Sequence, residues 1–422
     1  MSTALRTVPV PRAYGLGLLA ERLVLRILTG IVVGELDLRL PSGERRAFGV
    51  PGSKPSAAVT VTSVDLFRRL ARRPRLGLGE SYAAGDWCAD DLVAFFELLI
   101  RNVAAARKRP PLSRLVRLER YRPHLPPRQG LRRSQHNIHY HYDIGNDLYS
   151  LFLDESLAYS CAYFERPDET LEQAQQNKYR RICDKLELGS DDHLLEIGCG
   201  WGGFALYAAR ERGARVTGLT ISKAQHDLAR ERVRGARLEH LVEVRFEDYR
   251  ATQGRFTKIA SIEMLEAIGH AAYPTFFAVC DRLLEPGGLA CIQTIAIPDQ
   301  RYESYRRHTD WIREYIFPGS LLPSLTTLVN AMTRSSELVL HGLEDVGIHY
   351  ARTLTTWRER FFENIERVRE LGYDSRFERL WELYLAYCEA AFATRSLRNV
   401  QLVLTRPLND RLPRYPSTRV TF

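Results

Sequence analysis

Residues 194–209 read LLEIGCGWGGFALYAA: an apolar run that ends in Glu196 and Ile197, glycines at 198, 200, 202 and 203, then apolar residues resuming at helical spacing. A short buried strand, a turn and a helix are the natural reading of that order. Glycines let the chain turn tightly and bring its backbone against a ligand, while the helix that follows offers unpaired N–H groups. From Asn137 onward the chain alternates strand-like and helix-like segments, with strands expected at His193–Ile197, Arg215–Leu219, Leu241–Phe246, Ile259–Ile262 and Gly288–Thr294. Such alternation predicts an α/β domain around a parallel sheet, with the glycine turn at the carboxyl end of its first strand.

The spacing is G-x-G-x-G with an acid just before it, unlike the G-x-G-x-x-G of dinucleotide sites. It resembles motif I of the class I methyltransferases, a Rossmann-like fold, and the resemblance implies that Glu196, Gly198, Gly200 and Gly202 bind S-adenosylmethionine. Glu285-Pro-Gly-Gly288 resembles the turn those enzymes place before their fifth strand. The second strand, ending in VTGLTISKAQ, lacks the usual ribose-gripping acid, so Thr220 and Gln225 are taken as cofactor contacts, with Gln225 bonding the ribose hydroxyls. Asp248, in FEDYR after the third strand, is placed to accept from the adenine amino group.

The 422 residues suffice for two domains, and 45% hydrophobic with 26% charged residues exclude a disordered or multi-span chain. Seven cysteines, an odd number without a CxxC pair, predict neither a disulfide framework nor a structural zinc. The apolar stretch from Leu16 to Val33 is broken by Glu21, Arg22 and Arg26, which argues against a cleaved signal or a spanning helix. Its residues Leu16, Leu19, Leu23, Ile27 and Ile31 recur at helical steps, predicting an amphipathic helix over 13–33 that either packs on its own domain or meets a membrane. A formal charge of +9 favours an anionic partner, nucleic acid or a lipid surface. Much of it lies in RNVAAARKRPPLSRLVRLERYRPHLPPRQGLRRSQ, residues 101–135, read as a basic inter-domain connection suited to an anionic leaflet.

After the fourth strand stands SIEMLEAIGH, residues 261–270, where base-methylating enzymes commonly carry Pro-Pro-aromatic, so nucleic acid is not expected as the acceptor. HYHYDIGNDLYSLFLDESLAYSCAYF (139–164), LEIGCGWGG, GLTISKAQ, EMLEAIGH, DWIREYIFPGSLLPS (310–324) and HYARTLTTW (349–357) resemble the cyclopropane fatty acid synthase family. GLGESYAAGDW (77–87) resembles the amino-terminal domain of its two-domain members. The resemblance implies methyl transfer from S-adenosylmethionine to a cis double bond of a phospholipid acyl chain, and a carbocation deprotonated by bound bicarbonate to close a cyclopropane. It assigns that bicarbonate to the backbone N–H groups of Cys161 and Ile295 and the side chains of Glu266, Gln293 and Tyr350, and places Tyr159 and Ser160 at the cofactor carboxylate. Tyr163, Phe164, Tyr315 and Phe317 are aromatic candidates for steadying the cation. Gln293 and Ala267 stand where many members have His, and Gln cannot carry a proton away at neutral pH. That departure leaves room for a methylene-branched product from the same first step, with Glu155 a further acid near the cofactor segment.

The expectation is thus an amino-terminal α+β domain that gathers lipid (1–105), a basic linker (106–136) and a Rossmann-like methyltransferase domain (137–422). It is placed in the cytoplasm against the inner face of a membrane, with a homodimer left open. A silent lipid-binding protein of the same fold is the alternative from another class.

Overall fold

The computed structural model describes residues 12–106 and 145–412. Residues 101–106 of the basic connection end the helix Leu92–Ala106, whereas 107–136 lie outside the described residues, as do residues 139–144 of the long motif. The described residues form two units: 12–106 with Arg307–Ile316 and Gly372–Thr394, and 145–306 with Phe317–Leu371 and 395–412. Contiguous domain limits are corrected by this division, because two segments expected in the catalytic domain group with the amino-terminal unit. Packing explains it: the Tyr387 ring stands edge-on to Phe96 at 5.2 Å and to Trp311 at 6.0 Å, and Tyr82 donates to Glu382 Oε2 at 2.6 Å.

In the smaller unit β1 (Glu35–Arg39), β2 (Arg45–Gly49), β3 (Ser56–Val61) and β4 (Trp87–Ala89) form a sheet of order β2-β1-β3-β4, in which only β1 and β3 run parallel. Leu36 and Leu38 of β1 point inward while Asp37 and Arg39 alternate outward or toward the edge, the period of a half-buried strand. The helix Arg12–Leu28 buries Gly17, Ala20 and Leu25, and leaves Leu18, Leu19, Leu23 and Ile27 in solvent beside exposed Arg22 and Arg26. The stripe singled out from sequence is therefore mostly the outward face, and Ile31, its last member, lies beyond the helix and is buried. Among the described residues no helix is long and apolar enough to cross a membrane.

The larger unit carries β5 (His193–Ile197), β6 (Arg215–Thr220), β7 (Val242–Phe246), β8 (Phe256–Ile262), β9 (Leu284–Ala296), β10 (Val339–Asp345) and β11 (Arg398–Thr405) in the order β10-β11-β9-β8-β5-β6-β7. Five neighbouring strands, β9 to β7, are parallel; β11 and β10 complete the edge antiparallel. This is the Rossmann-like α/β arrangement expected from the sequence, with two edge strands that the sequence did not announce. Glu285-Pro-Gly-Gly288 is not a turn before the fifth strand but a bulge within it: pairing jumps from Phe256–Leu284 to Lys258–Leu289. Leu195, Ile197 and Ile259 join one core with the helices Tyr273–Leu283 and Leu325–Ser335. Leu194 and Ala260 face the other way, onto Leu171–Lys185, Gly203–Arg212 and Lys223–Gly235. The chain order reverses between β5 and β8, which opens a crevice at their carboxyl ends, the usual ligand position in such sheets.

Candidate active site

Within that crevice lies a cavity of about 190 Å³ lined by the glycine turn, by Leu157–Ser160, by Thr220 and Gln225, by Glu247–Arg250 and by Ile262–Met264. Gly198 sits at φ +83°, and a Cβ there would stand 2.8 Å from Met264 Cγ, so the turn after β5 and the turn after β8 pack directly together. Glu196, 2% exposed at the end of β5, has Oε2 without a partner among the described residues. Burial raises its carboxyl to about 8 against the opposing pull of Lys178. Thr220 Oγ1 donates to Gln225 Oε1 at 2.9 Å, leaving the Gln225 amide N–H groups as its donors. Burial works to raise Asp248, but hydrogen bonds from the Arg250 backbone and guanidinium hold it below the ordinary range. An adenine amino group would thus share this carboxylate with Arg250, which its lone pairs allow. Ser160 Oγ accepts from Lys178 Nζ at 2.7 Å.

Lys178 was missed by sequence reasoning. It is 1% exposed, and burial lowers its ammonium to about 8 although Glu263, Asp154 and Glu196 pull the other way. Its signal was a lysine on the inward stripe of Leu171–Lys185, in step with Leu171, Ala174 and Ile182. The tyrosine just before Ser160 supplies an aromatic wall: Tyr159 lies 5.2 Å from Trp357 and stacks on Phe317 at 6.3 Å. The other three aromatic candidates are corrected. Tyr163 is covered by Arg181 at 4.0 Å and Phe164 by Arg352 at 4.0 Å, while Tyr315 belongs to the smaller unit and donates to Glu80. Glu155 is exposed, and its backbone carbonyl accepts from Arg232.

At the polar end of the cavity the donors expected to hold bicarbonate converge on a carboxylate of the chain itself. Glu263 Oε1 accepts from Cys161 N at 2.9 Å, Gln293 Nε2 at 2.9 Å and Asn399 Nδ2 at 2.6 Å; Oε2 accepts from the Tyr350 hydroxyl at 2.8 Å. Sequence reasoning named Cys161, Gln293 and Tyr350 but neither Glu263 nor Asn399. Glu266, expected in this group, turns to Ile295 N at 2.5 Å and Thr294 Oγ1 at 3.0 Å, with Oε2 partnerless and out of solvent. Burial and then the neighbouring Glu263 charge raise its carboxyl above the usual range. The donors expected to hold bicarbonate are thus already paired, and a second anion would meet Glu263 at hydrogen-bond distance, where like charges repel. The Cys161 thiol, pushed up by burial and bonded to Ala162 O, is no ready thiolate.

Glu263 is held at φ +52°, a region that costs a residue with a side chain about 1 to 3 kcal/mol unless its surroundings insist. Here they do. Its N–H donates to Gln293 O at 2.7 Å, and a line of amides fixes its partner, since Lys185 donates to Gln401, Gln401 to Gln293 Oε1 at 2.9 Å, and Gln293 Nε2 to Glu263. With Oε1 of Gln293 occupied by a donor, its NH₂ end must face the carboxylate.

A Rossmann-like sheet, a glycine turn at its switch point and, beside that turn, a buried acid with one oxygen unpaired among the described residues define a class I methyltransferase, and the residues fit S-adenosylmethionine. The chain belongs to the mycolic acid cyclopropane synthetase family, whose profile matches residues 129–402, and it is an S-adenosylmethionine-dependent methyltransferase. It is 36% identical over 403 residues to the tuberculostearic acid methyltransferase UfaA1 of Mycobacterium tuberculosis, covering 94% of this chain and 93% of that one. It is also 36% identical over 373 residues to the cyclopropane-fatty-acyl-phospholipid synthase of Escherichia coli, covering 87% and 92%. Among solved structures it resembles the cyclopropane synthase MmaA2 of M. tuberculosis, at 29% identity and TM-score 0.60, over 64% of this chain and 98% of that one. The mycolic acid cyclopropane synthase CmaA1 complexed with SAH and CTAB matches equally, at 29% identity, TM-score 0.60 and the same coverage.

Proposed function

We propose that the chain methylates the cis double bond of unsaturated phospholipid acyl chains at a membrane surface, closing it into a cyclopropane. The observation that carries this reading is one cavity joining the glycine turn to a carboxylate held by four donors, Cys161, Gln293, Asn399 and Tyr350. S-adenosylmethionine supplies a methyl group as an electrophile on positively charged sulfur. The turn Gly198–Gly203 and Gln225 would hold it, with Lys178 and Ser160 suited to its carboxylate. An unactivated alkene is a weak nucleophile, so the protein's part is alignment, exclusion of water and relief of positive charge. The Tyr159 ring in the cavity wall, packed on buried Trp357 and half-buried Phe317, suits the last task, since ring faces stabilise a cation without bonding to it.

Two relatives' names support different endings of the same chemistry. The E. coli enzyme is named a cyclopropane synthase; the methyltransferase similar over 94% of this chain is named for tuberculostearic acid. The second name supports a methylene-branched product as the alternative, reached when a hydride moves to the cationic carbon before the new methyl group loses its proton. Peripheral docking is supported by the helix Arg12–Leu28, whose outward Leu18, Leu19, Leu23 and Ile27 lie beside Arg22 and Arg26, apolar contact flanked by charge for an anionic leaflet. Replacing Leu19, Leu23 and Ile27 together by Gln should weaken sedimentation with anionic vesicles about tenfold without lowering the melting temperature, given their exposure.

The test is incubation of the full chain with S-adenosylmethionine labelled in its methyl group and vesicles bearing cis-monounsaturated phospholipid, with DNA and RNA in parallel, followed by NMR of the acyl product. Label in a ring methylene supports the leading reading and label in a terminal alkene the second. Cofactor binding with no label in lipid overturns both.

A further inference from the structure

We infer that Glu263 is the base of the reaction, a built-in carboxylate that removes the proton from the alkylated chain and makes the enzyme independent of bicarbonate. The inference rests on the acyl double bond being the methyl acceptor. It comes from three observations at one place. First, the donors converge: among the described residues Oε1 takes three hydrogen bonds and Oε2 one, from Tyr350, so Oε2 keeps lone-pair capacity for a proton. Second, Glu263 lines the same cavity as the glycine turn, and the adjoining Met264 packs on Gly198. Third, the backbone at 263 has a glycine's conformation, φ +52°, yet carries a long acid, the kind of outlier that clusters at functional sites. Gln293 gives the arrangement its sense. It donates to Glu263 but cannot accept a proton at neutral pH, so the proton has to rest on the carboxylate.

The step balances. Methyl transfer uses the alkene electron pair to form the new carbon–carbon bond and leaves the neighbouring carbon positive, while the donor sulfur becomes neutral. A C–H bond of the new methyl group then breaks. Its electron pair closes the ring, or forms the exocyclic double bond after a hydride has moved, and the proton bonds to Glu263 Oε2 to give the carboxylic acid. One positive and one negative charge are consumed together, and the acid returns its proton to water on turnover. Tyr350, donating to that oxygen before the step, positions it.

Two variants and two readouts test this. Glu263→Gln keeps the side-chain shape, and Glu263→Gly suits the backbone at φ +52° and vacates the donors. In buffer stripped of carbon dioxide, wild-type turnover on lipid vesicles should stay within about twofold of its value with added bicarbonate, while Glu263→Gln should lose about 100-fold or more with cofactor affinity within about threefold. Glu263→Gly should be equally slow without bicarbonate and should recover about tenfold with it. Wild-type turnover that requires bicarbonate, or a Glu263→Gln enzyme within about tenfold of wild type, overturns the assignment. The second readout needs no turnover: ¹³C-bicarbonate titrated into cofactor-saturated protein should bind saturably to Glu263→Gly and not to wild type. Saturable binding to wild type overturns the inference. A clean contrast in binding with no label in any lipid would instead overturn the acceptor while leaving the occupied donor set in place.

Discussion

The glycine turn and Glu263 line the same cavity, but the first is a run of consecutive residues after β5 and the cluster that holds the second draws on five separated segments of chain. At the turn the backbone is the working part. At Gly198 a side chain would be in the way, since a Cβ there would stand 2.8 Å from Met264 Cγ. At Glu263 three side chains and one backbone N–H, that of Cys161, hold a carboxylate, and the backbone is bent into an unfavourable region to aim it. The contrast separates holding a cofactor from moving a proton. Substitutions at the two places should therefore fail in different measurements.

The largest effect is expected at Glu263, where Gln should depress kcat about 100-fold and leave calorimetric cofactor affinity within about threefold, the signature of a group acting in the transition state. Next comes Gly198→Ala. Its φ of +83° and the contact with Met264 should cost cofactor affinity by about 30-fold, with a lower melting temperature; equal loss at both sites in both measurements would dissolve the distinction. Asn399→Ala removes the 2.6 Å bond to Oε1 but spares Oε2, so kcat should fall about tenfold with KM little changed. The smallest effect is one of pH. Folding raises the Glu266 carboxyl from an ordinary 4.5, so the folded state holds its proton longer than the unfolded chain does. The resulting stability is fully present below pH 4.5 and is lost as pH rises toward the folded-state value. Chemical denaturation should show wild type losing about 1 kcal/mol or more from pH 5 to pH 8 relative to Glu266→Gln, whose amide does not titrate.

Much of the parallel sheet was legible because period and glycine punctuation are local: His193–Ile197 is a strand with the limits its residues suggest. The edge strands β10 and β11 were not. Arg398–Thr405 mixes Asn399 and Gln401 into an apolar run, and their purpose lies in β9 and the turn after β8, with Gln401 bonded to Gln293 and Asn399 to Glu263. Glu263 was hidden for a related reason. In SIEMLEAIGH two acids stand three residues apart, and the sequence does not say which one the donors choose. The choice is made by geometry, since the left-handed turn at 263 sends that side chain toward Cys161 and Tyr350 while Glu266 turns to the β9 backbone at Ile295. The aromatic candidates failed where arginines elsewhere in the chain, Arg181 and Arg352, cover Tyr163 and Phe164.

The most direct measurement gives the enzyme S-adenosylmethionine with three deuteriums on its methyl group and vesicles of cis-monounsaturated phospholipid, and weighs the acyl product by mass spectrometry. The expected product is a chain that has gained one carbon carrying two of the three deuteriums, because one is removed as Glu263 acts as the base. A product retaining all three would contradict deprotonation of the transferred methyl group.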